Sequence, residues 1–103
     1  MQAGDFDITG MLKALDEQKL GLLQSVVDLH KNMADPHRDR EERLRILSGI
    51  LVRAYMLSAR LGIDPAALDD QAADDLRVHI SKHDEVLAAD YAALLRHIRR
   101  RQP

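Results

Sequence analysis

The sequence predicts an all-α protein: a small antiparallel helical bundle of three long helices, the third open to a break near Ser81 that would make four. Three observations carry this. Apolar residues recur at steps of three and four along most of the chain, the spacing that puts them on one side of a helix. Helix punctuation is sharp, with Asp-Pro at 35–36 and again at 64–65 and Gly62 between them. The hydrophobic share is 46% but the aromatic share only 3%, so a core must come from Leu, Ile, Val, Met and Ala. Aliphatic residues of that mix favour helices, whereas strands prefer β-branched and aromatic ones. A chain of 103 residues has room for one domain, taken as 1–103.

Residues 1–7 read as a loose leader. A first helix over about 8–33 follows from Ile8, Leu12, Leu15, Leu22, Val26, Leu29 and Met33, which share a narrow arc, with Lys19 and His30 as polar residues inside it. In the plain reading Lys19 snorkels outward and His30 finds a partner at the bundle edge; in the sharper one they line a pocket or set the register of a dimer. A second helix over about 36–61 starts at Asp35-Pro36, or slightly later at Asp39. Its first turns carry Arg38–Glu42, Asp39–Arg43 and Glu41–Arg45 at the spacing of exposed ion pairs. Its inner stripe is Ile46, Leu47, Ile50, Leu51, Ala54, Leu57 and Leu61. Val52, Met56 and Ala59 lie on another side, with Tyr55 between. An apolar second side points to self-association, so Val52, Tyr55, Met56 and Ala59 are the expected interface of a homodimer.

Asp64 and Pro65 repeat the start signal, and no Gly or Pro then intervenes before Pro103. A stripe of Ala73, Leu76, Ile80, His83, Leu87, Tyr91, Leu94 and Ile98 allows one helix over 65–101. Ser81 followed by Asp84 and Glu85 resembles a helix start and supplies the alternative. One uninterrupted helix of that length would overhang a small domain and call for a partner to cover it. Arg96, Arg99, Arg100 and Arg101 suit a helix C-terminus.

Several function classes lose support from composition. A net charge of −2 gives no long-range attraction for nucleic acid or anionic lipid. Without cysteine there is no thiolate chemistry and no thiolate metal site. The apolar run Ile50–Leu57 is interrupted by Arg53 and far too short to span a bilayer. No secretion signal is visible at the start, so a cytoplasmic protein is expected.

Possible chemistry gathers in the last third. Asp75, His79 and His83 stand four apart, and two histidines at that spacing can share a metal with a carboxylate one turn away. The ordinary alternative is a surface or partly packed histidine pair, since no HExxH signature accompanies them. Arg77 and His83 also match a spacing found in helical HEPN ribonucleases, a pattern two abundant residue types readily produce. Asp69, Asp70, Asp74 and Asp75 form the one acidic cluster. The segment ARLGIDPAAL at 59–68 resembles the helix-to-helix junction of MazG-like enzymes. That resemblance implies an all-α fold and a magnesium-dependent nucleotide pyrophosphohydrolase with carboxylate pairs on facing helices. The corresponding slots here read Asp16-Glu17-Gln18-Lys19 and Ser48-Gly49-Ile50-Leu51, which depart from the ExxE and ExxD pairs. No catalytic residue is therefore carried across.

The sequence thus favours a small protein–protein interaction module without a cofactor: an adaptor, chaperone or regulator of a larger factor acting as a homodimer. The alternative is a divergent metal-dependent nucleotide pyrophosphohydrolase. Circular dichroism should show a dominantly helical protein; a substantial β signal would refute the helical reading of the whole chain.

Overall fold

A computed structural model describes residues 3–37, 39–82 and 85–102. They form four helices: α1 (Ala3–Ala34), α2 (Arg40–Arg60), α3 (Pro65–Lys82) and α4 (Glu85–Arg101). No strand occurs among the described residues, so the all-α class holds. The chain divides into two compact units, residues 1–62 and 63–103. In the first, α1 packs on α2; in the second, α3 packs on α4.

The punctuation works largely as its chemistry dictates. Asp64 Oδ1 accepts from the Ala66 N–H at 2.9 Å, which caps α3, and Pro65 is its first residue. Gly62 takes φ +79°, the left-handed conformation that ends α2, and its N–H reaches the Ala59 carbonyl at 3.1 Å. At the front of α2 the later of the two candidate starts is used. Asp35 caps only a local turn, accepting from the His37 N–H at 2.8 Å. Asp39 is the true N-cap and accepts from the Glu41 N–H at 3.0 Å, with Glu41 and Glu42 in the first turn. The leader expectation gives way in part, since α1 already runs from Ala3.

The long third helix folds back. Ser81 turns its hydroxyl onto the Val78 carbonyl at 2.8 Å near the end of α3, and α4 begins at Glu85. The two run antiparallel, with Asp69 against Arg101 at 3.2 Å and His79 stacked on Tyr91 at 5.2 Å between ring centroids. Ala73, Leu76 and Ile98 are buried between them, with Ala72, Tyr91 and Leu95 packed at the edge. The overhang that called for a covering partner is thereby removed.

The first unit departs further from its sequence pattern. Among the described residues its buried ones are Ser25, Asn32 and Ser58, all polar. The α1 face turned to α2 is Ala14, Gln18, Gly21, Ser25, Asp28 and Asn32, flanked by the half-buried Leu15, Leu22 and Leu29. These steps of four and three are the seam of a paired-helix contact. From α2, Ile46, Ile50, Ala54 and Leu57 of the expected stripe are half-buried, but Leu47, Leu51 and Leu61 are exposed, Leu51 by 50%. The contact face is thus rotated toward the polar side, leaving Leu12, Leu23, Val26 and Met33 of α1 bare as well. By helix periodicity Val26 and Met33 fall on the same flank of the antiparallel pair as Leu44, Leu47 and Leu51, while Leu12 and Leu23 fall on the side of α1 turned away from α2.

The burial pattern inverts one stability expectation. Leu51→Ala, expected from the inner stripe to cost a core residue's stability, should cost about 1 kcal/mol or less at a half-exposed position. Leu76→Ala, 7% exposed, should cost about 2–5 kcal/mol. Urea denaturation of the two variants checks the order, and a larger loss for Leu51→Ala would contradict the packing described.

Candidate functional site

The most constructed part of the molecule is the α1–α2 seam. Arg53 reaches across from α2 and donates from Nη1 to Ser25 Oγ at 3.1 Å, while Ser25 donates its own hydroxyl proton to the Gly21 carbonyl at 2.8 Å. Two glycines make the room. A Cβ on Gly21 would lie 2.6 Å from Arg53 Nε and 3.3 Å from its Cδ; one on Gly49 would lie 2.8 Å from Nη1. Each glycine costs its helix about 1 kcal/mol relative to Ala, and the space obtained is filled by a guanidinium.

Farther along, Arg43 repeats the arrangement. Its Nε donates to Oδ1 of Asn32 at 2.9 Å, and Asn32 is 6% exposed. Its Nη2 is buried with no hydrogen-bond partner. These two crossings fix the register of the hairpin. Beside them Asp28, Asp35 and Glu42 line a hollow of about 260 Å³ together with Lys31, Asn32 and Ile46. Among the described residues no group of three or more His, Asp or Glu side chains is close enough to hold a metal ion.

The residues singled out from the sequence fall elsewhere. Asp75 accepts from Gln71 Nε2 at 2.8 Å and His79 stacks on Tyr91, while His83 lies outside the described residues. The acidic run serves the α3–α4 hairpin: Asp69 pairs with Arg101, Asp70 accepts from Gln102 and Asp74 pairs with Arg77. Lys19 turns to Asp16 at 3.6 Å in solvent, and His30 is exposed. Val52, Met56 and Ala59 are exposed and Tyr55 is half-buried. Sequence reasoning passed over Ser25, Asn32, Arg43 and Arg53. The available signal was two glycines inside strong helices, with Ser25 and Asn32 seven apart beside them.

The described residues thus form two helical hairpins joined through an LGIDP turn, with a polar seam in the first. The MazG-like family model matches residues 8–94, and the chain belongs to that family. No curated protein and no solved structure matches. The match spans both hairpins, so the resemblance first seen in 59–68 extends over most of the chain. It overturns the reading of the protein as an adaptor, chaperone or regulator, for which nothing in the fold speaks, and backs the nucleotide pyrophosphohydrolase alternative.

The magnesium that this resemblance implies does not fit the residues present. The hairpin register set by Asn32–Arg43 and Ser25–Arg53 places Asp16–Lys19 toward the far end of α2, well away from Ser48–Leu51. The latter segment has no carboxylate, and the gap at Gly49 holds the Arg53 guanidinium, whose charge would repel a second cation.

The seam makes a sign-reversing prediction. Gly21→Ala alone should lower stability despite the better helix propensity, because its methyl meets Arg53. In an Arg53→Ala background the same change should raise stability by about 1 kcal/mol. Denaturation midpoints of the four chains measure the coupling, and simple additivity would refute the packing of Arg53 against Gly21.

Proposed function

We propose that the protein binds nucleoside polyphosphates, as a divergent member of the nucleotide pyrophosphohydrolase type. The observation that carries this is the MazG-like match over residues 8–94, which takes in α2 and α3 whole and the greater part of α1 and α4. The electrostatics of the first hairpin support it. Arg43 and Arg53 are anchored on the polar seam, and Arg53 lies beside Gly49 in the segment that corresponds to the second carboxylate slot, so this hairpin carries positive charge there. Guanidinium groups bind phosphate oxygens through paired N–H donors, so they can recognise a polyphosphate by a route that needs no metal. No bond-breaking step is assigned, because the carboxylates that would hold an ion against a triphosphate are not brought together.

Thermal denaturation with nucleoside triphosphates, in magnesium and separately in excess chelator, tests the reading. A ligand that binds the folded state alone stabilises it by about 2.7 kcal/mol at a hundred times its Kd. Ribo- or deoxyribonucleoside triphosphates should raise the Tm to the same extent in both buffers. If none shifts the Tm in either buffer, the nucleotide reading falls. A shift confined to magnesium would restore the metal dependence that the seam argues against.

A further inference from the structure

The nucleotide reading leaves open where on the hairpin a phosphate would sit, and the second seam arginine answers this. Arg43 is held by one edge: its Nε is tied to Asn32 Oδ1 at 2.9 Å, and Asn32 is itself buried. The other edge is different, since Nη2 is shielded from solvent yet has no acceptor. An unpaired buried donor costs about 1–3 kcal/mol, and more when it carries charge. The resting protein therefore holds a guanidinium N–H whose missing partner is an acceptor, preferably an anionic one.

The surroundings show what kind. Arg43 lines a hollow of about 500 Å³ with Arg40, Leu44 and Leu47. Two of the four lining residues are cations, and none of the ion pairs among the described residues involves either of them. The nearby carboxylates are turned to other work. Asp39 caps α2 through the Glu41 N–H, and Glu42 lines the separate hollow of about 260 Å³ on the opposite flank. The other two lining residues are apolar: Leu44 and Leu47 are 56% and 45% exposed. A small anion would use half of this hollow, whereas an anion attached to a flat apolar body would use all of it.

We propose that the hollow formed by Arg40, Arg43, Leu44 and Leu47 is a phosphate site, the phosphate on the two guanidinium groups and the base or sugar of a nucleotide over the two leucines. The inference rests on the nucleotide reading and places it at particular residues. A small shift of the Arg43 guanidinium into the hollow gives Nη2 its acceptor while Nε keeps Asn32. Arg40, on the first turn of α2, closes the other side of the phosphate. Lysine at position 43 would not substitute, because a single ammonium cannot hold Asn32 and a phosphate oxygen with one planar fork.

Nitrogen-15 NMR of the full-length protein, following the arginine Nε–H resonances, is the test. The probes are AMP, adenosine and inorganic phosphate at constant ionic strength. AMP should shift the Arg43 Nε–H signal with saturation, inorganic phosphate should do so more weakly, and adenosine should leave it in place. Arg43→Ala and Arg43→Lys should each weaken AMP binding by at least about tenfold, which is about 1.4 kcal/mol. Leu47→Ser should weaken AMP but leave inorganic phosphate unchanged, which separates a nucleotide from a free anion as the source of the phosphate. Equal loss of both would overturn the apolar half of the site. The far-UV spectrum of each variant confirms that it is folded. Unchanged AMP affinity in Arg43→Ala refutes the site but not the nucleotide reading. Absence of AMP and triphosphate binding in the wild type refutes both.

Discussion

The first hairpin depends on a cation placed where two helices touch. Arg53 crosses to Ser25 through a gap that Gly21 and Gly49 keep open, and Arg43 crosses to Asn32 farther along. A charged group taken partly out of water is tolerable when its donors are met, and costly when they are not. The same two crossings therefore fix the register. Sliding α1 by one turn along α2 would unpair both arginines together and drive a guanidinium against a side chain. An apolar seam would lack that penalty, since one leucine packs nearly as well as the next.

This constraint explains the exposed apolar flank. The helices meet along small and polar residues, and the leucines, valines and methionines that surround the contact are left at its edge or beyond it. Leu12, Leu23, Val26 and Met33 on α1 and Leu44, Leu47 and Leu51 on α2 remain in solvent. The second hairpin solves its packing by conventional means, burying Ala73, Leu76 and Ile98. Among the described residues no single helix is long and apolar enough to cross a membrane.

Much of the fold was legible in the sequence, and the reasons are local. Asp64-Pro65 and Gly62 act through their own backbone preferences, so their structural meaning is independent of what packs around them. The helix-start signal near Ser81 likewise marked a genuine interruption. Facing was less legible, because the hydrophobic arc of α1 identifies apolar residues and not the residues a partner helix can approach. Gly21 and Ser25 permit close approach, and that outweighed the arc. The candidate site was hidden for a related reason. Arg43 and Arg53 looked like members of a charged surface and an interrupted apolar run, and only the neighbouring helix shows what they reach. The four aspartates misled in the opposite direction. Clustered in sequence, they disperse around α3 and take separate partners.

The fate of Asp69 has an ionic consequence for the end of the chain. Its pairing with Arg101 joins the first turns of α3 to the last turn of α4, and Gln102 adds a contact to Asp70. The Arg101 side chain is 38% accessible and that of Asp69 19%, so dissolved salt has access to the pair. With a Debye length of about 8 Å at physiological ionic strength, added salt weakens this clasp while leaving the burial of Leu76 and Ile98 nearly untouched. The hairpin is consequently graded along its length, with an end whose closure follows the ionic medium and an interior indifferent to it.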